Sequence, residues 1–460
     1  MDHNMQNILC LAPFISFKID TNKGIRPCSS WMGEYFGNIE NDELLQILTS
    51  DKWNELKKEM LQNKWPTGCV GCKAEELLSG ESLRKEFARN YKKYSDDEVP
   101  RLLEIEVDSS NQCNFACIHC SSDYSDKWGK YEKILQEEGF RGLRTRSEPS
   151  VFRINETLLI DRLKQIDLSV IKLIRFKGGE PFLNKEIKKF IEFLHEERLL
   201  HQIDIHLVSN ASVINTEFIQ LLSEAKSITI AISLDGPEGL QQYIRYGAPE
   251  LAKIERFILA CSKLPNLRID FLVSIMVYNI FSLSDIAIWW RMIRSKFPDL
   301  KISDPWFSHF VIFPKYLSIR VLPDECRQNL IAFYEQEKDV DYTSVIQMLK
   351  QAWAGGYWLN RLLSFTRIQE KHRVNSIVSI IPQLEPYMKE SVVDRSQLAK
   401  NLIQELSFMI DNECGTAQMY LQRGILKREI GETGAQEDIK RAAMLDMTLF
   451  TAIPDYWYSE

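Results

Sequence analysis

Apolar positions along this chain follow two rhythms. Short alternating or continuous apolar runs predict strands over Phe14 to Ile19, Leu103 to Val107, Ile171 to Phe176, Ile203 to Val208, Ile228 to Leu234 and Ile269 to Met276. Stretches near a 3.6-residue period predict helices over Asp42 to Leu61, Asn184 to Leu199 and Thr216 to Ala225. Asp20-Thr21-Asn22-Lys23-Gly24 reads as a turn, Ile25-Arg26-Pro27-Cys28 begins a return strand, and Pro66-Thr67-Gly68 breaks the chain before Cys69. Strands alternating with helices predict an α/β fold on a parallel sheet, with ligands beyond the carboxyl ends of the strands. The polar residues that stand out fall on those loops.

From about residue 325 the pattern is mostly helical, with Gly355-Gly356 as a break. Ala417-Gln418-Met419-Tyr420, Gln422-Arg423-Gly424, Gly431, Ala435, Asp438 and Ala442 resemble one tetratricopeptide-type helical pair. A single repeat cannot form a solenoid, so a helical hairpin packed on the rest of the chain is expected.

Composition adds exclusions. The 460 residues are 45% hydrophobic and 26% charged, enough for a large core in two to four domains. A net charge of −7 argues against nucleic-acid binding. Arg141, Arg144, Arg146 and Arg153 form one candidate basic groove, although such a run is more often a solvated loop. No run of 18 apolar residues and no secretory signal is seen, so no membrane span is expected, and a cytoplasmic location is.

Ten cysteines change the picture. Cys10, Cys28, Cys69, Cys72, Cys113, Cys117 and Cys120 all precede residue 121. Clustered cysteines in a reducing compartment point to metal or redox chemistry. In Cys113-Asn114-Phe115-Ala116-Cys117-Ile118-His119-Cys120 the thiols are separated by three and then two residues. Three thiolates from one tight loop can hold three irons of a cubane cluster and leave the fourth iron open. Zinc is the alternative, but it favours four closed ligands, and His119 lies awkwardly between two cysteines.

This spacing directly after a strand resembles the radical S-adenosylmethionine (SAM) superfamily. Three further matches follow in order: Gly178-Gly179-Glu180-Pro181, Ser209-Asn210, and Ser233-Leu234-Asp235-Gly236 with Tyr243-Ile244-Arg245; Asn279 is a weaker one. Each alone is a good turn sequence. Together they stand at successive strand ends. The resemblance covers about residues 100 to 325 and implies a partial (β/α)6 barrel. It implies that Cys113, Cys117 and Cys120 hold the catalytic cluster, and that Gly178, Gly179, Glu180, Pro181, Ser209, Asn210, Ser233, Asp235 and Arg245 position SAM. It also implies reductive cleavage of SAM to a 5′-deoxyadenosyl radical that takes hydrogen from a substrate.

Seventeen residues separate Cys10 from Cys28, forty separate Cys28 from Cys69, and two separate Cys69 from Cys72. This region, with Trp65-Pro66-Thr67-Gly68-Cys69 and Ser82-Leu83-Arg84, resembles the cysteine region of twitch/SPASM auxiliary-cluster proteins, although here it precedes the core. Four thiolates would close a second cluster; zinc accepts the same ligands. Among the remaining cysteines, Cys326 and then Cys414 are candidate hydrogen-atom donors, or small buried residues. Arg367, Arg373 and Asn375 match a polar segment of the family loosely, without a site assignment.

The expected organisation is an α/β protein with an N-terminal auxiliary cluster region over 1–98, a radical SAM core over 99–325, a helical extension over 326–400 and a helical tail over 401–460. The expected cofactors are SAM and two 4Fe–4S clusters. By family analogy the expected partners are a ribosomally made precursor peptide and an electron donor such as flavodoxin or ferredoxin. The peptide would undergo epimerisation, crosslinking or backbone excision. The alternatives are a small-molecule substrate and a non-catalytic zinc scaffold.

Overall fold

The computed structural model describes residues 9–91, 102–140, 152–312, 314–351, 355–373, 375–388, 395–411, 415 and 417–445. Arg141, Arg144, Arg146 and Cys414 lie outside the described residues. Arg153 is described, and its guanidinium faces Gln112 and Glu186. No helix among the described residues is long and apolar enough to cross a membrane.

The strands are β1 (Ser16–Ile19), β2 (Gly24–Arg26), β3 (Gly37–Asn38), β4 (Glu104–Asp108), β5 (Ala116–Cys117), β6 (Leu173–Lys177), β7 (Asp204–Ser209), β8 (Ser227–Ser233), β9 (Arg245–Tyr246), β10 (Leu267–Leu272) and β11 (Lys301–Ile302). One sheet runs in the order β11-β10-β8-β7-β6-β4-β1-β2-β3. From β4 to β11 its neighbours are all parallel, and each strand lies beside its predecessor, as a partial α/β barrel requires. β1 then joins β4 in parallel, and β2 and β3 extend the sheet antiparallel. The N-terminal region is therefore built onto the same sheet as the core.

Alternation along the strands separates two chemistries. Ile105, Val107, Ile174, Phe176, Ile205 and Leu207 point into one continuous apolar core shared with the helices. Lys18, Glu106, Arg175 and His206 are successive cross-strand partners, so they share the opposite face, with Asp108 and Lys177 as the next pair. These charges are paired. Lys18 Nζ lies 2.8 Å from Glu106 and 2.5 Å from Asp108, and Lys177 lies 3.1 Å from Glu106. Arg175 reaches Glu104 at 2.6 Å. Asp108 is fully buried, and burial pushes its carboxyl up although Lys18 pulls it down.

The helix expected over Asp42 to Leu61 is two helices, Leu44–Leu48 and Asp51–Leu61. The break comes from Ser50, whose hydroxyl accepts the Trp53 N–H as an N-cap. At the other end of the chain, helices Arg395–Asp411, Ala417–Glu429 and Ala435–Leu445 follow one another. Arg423 closes a bidentate pair with Asp438 across the last two. Met409 and Met419 pack on Ala74 and Val70 of helix Val70–Ser79, so the tail rests on the N-terminal region.

Replacing Lys18 by Met leaves Asp108 buried without its cation. A loss of about 3–5 kcal/mol in urea unfolding is expected. Adding Asp108→Asn should recover a large part of it, because the uncompensated charge is then gone; no recovery would show that the lysine acts through packing alone.

Candidate active site

After β4 the chain enters a fully buried turn, Ser109-Ser110-Asn111, and then the cysteine loop. Several bonds fix the loop. Asp126 accepts the Cys113 N–H at 2.9 Å, Asn111 Nδ2 donates to the Ser122 carbonyl at 2.8 Å, and Trp128 Nε1 donates to the Cys117 carbonyl at 2.6 Å. β5 pairs with β9, which sets Cys117 opposite Arg245. Arg373, from just beyond helix Gly355–His372, donates to the Ala116 carbonyl at 2.9 Å. Its guanidinium is caged by the Trp128, Tyr131 and Tyr246 rings, and burial pushes its pKa down to about 10.

The three thiols are free, with Cys113 and Cys117 buried and Cys120 half-buried. Burial pushes all three up, Cys113 to about 12. Arg245 Nη1 lies 3.7 Å from Cys117 Sγ, and Asn210 Nδ2 lies 4.0 Å from Cys113 Sγ. A pocket of soft donors that resists deprotonation on its own suits a ligand that brings positive charge to the sulfurs.

The loop after β6 explains its two glycines. Gly178 and Gly179 have φ of +80° and +58°. A Cβ on Gly179 would lie 2.2 Å from the Gln112 carbonyl oxygen, and one on Gly178 would lie 3.0 Å from Ser110 and Asp108. The glycines therefore let this loop lie against the cysteine loop, where Glu180 N–H donates to Gln112 at 2.8 Å. Glu180 is buried. Its carboxylate accepts the Ser209 hydroxyl at 2.8 Å, the Asn210 N–H at 2.8 Å and the Phe182 N–H at 3.2 Å. Burial nevertheless pushes its carboxyl up to about 7. Asn210 Nδ2 in turn donates to Asn114 Oδ1 at 2.9 Å, inside the cysteine loop. Pro181 opens the turn Pro181–Leu183 that leads into helix Lys185–Glu196.

After β8, Ser233 is buried and its carbonyl accepts from Gln241 at 3.2 Å. Asp235 is fully buried and pairs with Arg245 Nε at 2.8 Å, while its other oxygen accepts the Ser274 N–H at 2.8 Å. Asn279 holds the Asp235 carbonyl at 3.0 Å. His119 Nδ1 lies 3.9 Å from Asp235, and burial pushes the imidazole down to about 4, so it is neutral near pH 7. Asp235 thus faces Arg245 and His119 and orients them.

Cys10, Cys28, Cys69 and Cys72 are brought to one cavity, walled also by Trp31, Trp65 and Arg84. Burial pushes these thiols up as well, Cys10 to about 11 and Cys72 to about 12. Among the described residues, no three His, Cys, Asp or Glu side chains are gathered as a site for a single ion. Cys326 is not brought to either cavity. It is 1% exposed within the core, in helix Asp324–Gln336, and burial pushes its thiol up to about 11. Its place is that of a small core residue.

A cavity of about 820 Å³ is walled by His119, Ser121 and Tyr124 of the cysteine loop, by Asp20 and Arg26 of the β1–β2 hairpin, by Tyr35 just before β3, and by Trp31 and Gly71 next to the second cysteine set. His309 and Lys315 line it from the end of the core, and Met409 and Met419 close it from the tail. The sequence reading missed Lys18, Glu106, Asp108 and Lys177, which adjoin this cavity through Ser29 and Tyr124. The signal was present: Glu104, Glu106 and Asp108 alternate with apolar residues in a strand expected to be buried.

The family model described as "Radical SAM superfamily" matches residues 107–287, which span the cysteine loop, the glycine turn and the Asp235–Arg245 pair. This chain contains a radical SAM domain. A second model, "Iron-sulfur cluster-binding domain" of the SPASM type, matches residues 10–73. A radical SAM domain binds SAM and a 4Fe–4S cluster, and a SPASM domain binds further iron–sulfur clusters. Among curated proteins, the GTP 3',8-cyclase of Nautilia profundicola is 31% identical over 141 residues, 30% of this chain and 37% of that protein. That of Campylobacter lari is 28% identical over 140 residues, again 37% of its length. The chain thus matches little more than a third of these relatives. Among solved structures, anSMEcpe with bound AdoMet is 17% identical, covering 55% of this chain and 69% of that one, with a TM-score of 0.33. Streptococcus suis SuiB bound to precursor peptide SuiA is 15% identical, covering 72% of each chain, with a TM-score of 0.27.

Gly179→Ala places a methyl group against the Gln112 carbonyl in a left-handed conformation. We expect a loss of about 1–3 kcal/mol in thermal or urea unfolding. The radical SAM cysteine loop should also retain less iron after anaerobic reconstitution, by metal analysis. Wild-type iron content and stability would show that the loop can retreat.

Proposed function

We propose that this radical SAM protein modifies a ribosomally made peptide held in the cavity between its two cysteine sites. Cys113, Cys117 and Cys120 would hold one four-iron cluster with an open iron for SAM. Cys10, Cys28, Cys69 and Cys72 would close the coordination of a second. With SAM bound, the first cluster would supply the one electron for reductive cleavage of SAM to methionine and a 5′-deoxyadenosyl radical, which would then take a hydrogen from the substrate. The electron comes from a low-potential donor such as flavodoxin or ferredoxin.

The chain's own residues divide the work. Gly178 and Gly179 seat the β6 loop on the cysteine loop. Glu180, Ser209 and Asn210 form one hydrogen-bonded edge beside Cys113, suited to the ammonium end of SAM. Arg245, held by Asp235, offers a guanidinium to a carboxylate while it also faces Cys117. In this arrangement Asp235 is a positioning residue.

The cavity carries the substrate reading. Its volume of about 820 Å³ lies within the range of about 300–1,000 Å³ usual for ligand pockets, so its lining rather than its size supports the reading. Its lining combines apolar side chains such as Trp31, Met409 and Met419 with neutral polar groups such as Thr21, Asn22 and Ser29. Its charged side chains are Asp20, Glu75 and Asp123 against Arg26 and Lys315, and Arg26 is already paired with Asp20. A nucleoside triphosphate would face more carboxylates than cations. The GTP 3',8-cyclase relatives favour the small-molecule reading, yet the shared stretch is about 140 residues long, within a fold whose common part serves SAM.

Two measurements test this. Reconstituted protein should hold about eight irons per chain, falling to about four in Cys113→Ala/Cys117→Ala/Cys120→Ala; zinc in place of iron at the second site would make that site structural. Incubated with SAM, reductant and a short peptide encoded beside its gene, the enzyme should form 5′-deoxyadenosine and alter the peptide. A loss of two hydrogens by mass marks a crosslink, and a D-residue at unchanged mass marks epimerisation. Turnover of GTP with the peptide untouched would overturn the peptide reading.

A further inference from the structure

Arg84 is the charged side chain among the described residues that wall the cavity of Cys10, Cys28, Cys69 and Cys72. It is 7% exposed. Glu76, four residues after Cys72 in helix Val70–Ser79, grips its guanidinium at two points, Oε1 to Nε at 2.7 Å and Oε2 to Nη2 at 2.6 Å. Ser82, which caps helix Leu83–Asn90, donates to the same carboxylate at 2.6 Å. The Trp65 ring lies 5.3 Å from the guanidinium. The segment 65–84 therefore supplies two thiols, one cation and the carboxylate that fixes it. Glu59 lies near Cys69, and Glu75, whose carboxyl burial pushes up to about 7, lies near Cys72.

A buried Arg–Glu pair stabilises a fold weakly, because desolvation offsets most of the attraction. Its placement matters more here. The cation stands on the cavity wall, and its carboxylate is not among the wall residues. At low dielectric, a fixed charge beside a cluster acts strongly on the charge that the cluster gains on reduction.

We infer that Arg84, oriented by Glu76, is the residue that raises the reduction potential of the iron–sulfur cluster held by Cys10, Cys28, Cys69 and Cys72. The inference rests on reading those four cysteines as cluster ligands. In the step concerned, the cluster gains one electron from an external reductant, and Arg84 favours the more negative product without itself changing charge.

The test uses the full chain with the first site removed as Cys113→Ala/Cys117→Ala/Cys120→Ala, reconstituted anaerobically and titrated with dithionite under EPR. In that background Arg84→Gln should lower the midpoint potential, Glu76→Gln should raise it, and Arg84→Lys should lie between Arg84→Gln and the parent. Opposite signs from two partners of one ion pair mark electrostatics. Intact clusters with unmoved potentials, or potentials that move in the same direction, would overturn the inference while the ligand assignment stands. Loss of the cluster in all three variants would also overturn it, in favour of a structural role. Zinc, or no iron, in the parent background would overturn the ligand assignment and the inference with it.

Discussion

The architecture of the site depends on one close approach of backbone to backbone. Gly178 and Gly179, both at positive φ, let the loop after β6 lie against the Gln112 carbonyl and the Ser110 turn. Any side chain at Gly179 would force the two loops apart. Once the loops are in contact, Glu180 falls under the end of β7 and accepts from Ser209 and Asn210, and Asn210 reaches back to Asn114 and Cys113. Three strand ends are thereby joined in one hydrogen-bonded unit around the thiols. The neighbours of these glycines are other parts of the chain, so the room they leave is filled by the cysteine loop.

A second consequence follows from the parallel sheet. Helices cover one face with a continuous apolar core, so the other face is free to carry charge, and it does. Lys18, Glu106, Asp108 and Lys177 compensate one another across β1, β4 and β6. The lysine on β1 is part of that balance, so the N-terminal strand is electrostatically tied to the core. Without β1, Asp108 and Glu106 would share the single cation Lys177 at the base of the cavity.

What could be read from the sequence was what local rules decide. The strands after residue 100 announced themselves by apolar runs, and the chemistry announced itself by cysteines spaced three and two apart, followed by Gly-Gly-Glu at the next strand end. The break at Ser50 was missed because a capping hydroxyl competes with an otherwise continuous helical period. The charged rows were missed because their members lie 88 residues apart, as Lys18 and Glu106 do, and only pairing in register brings them together. That Asp235 is fully buried between Arg245 and the Ser274 N–H was not legible either, because no spacing rule encodes those partners. Cys326 was singled out by its position just past the core, which says nothing of the direction its side chain takes.

The order of the cysteine sites along the chain follows from the same topology. A second cluster region that precedes the core must still reach the open end of the barrel, beyond the carboxyl ends of the strands. β1 meets this by running parallel to β4, so Asp20 and the hairpin that follows emerge at the same end as the cysteine loop. The chain then carries Cys28 forward beside Trp31, and helix Val70–Ser79 brings Cys72 to the same small cavity. Neighbours of both thiol sets, Ser29 and Gly71 beside Cys28 and Cys72 and His119 and Ser121 beside Cys120, line one cavity because β1 and β4 are adjacent strands, not because they are near in sequence. Met409 and Met419 of the tail then pack on the helix that carries Cys72. The wall of the cavity is thus assembled from the first, middle and last parts of the chain, and a change in any of them alters the space in which the substrate would lie.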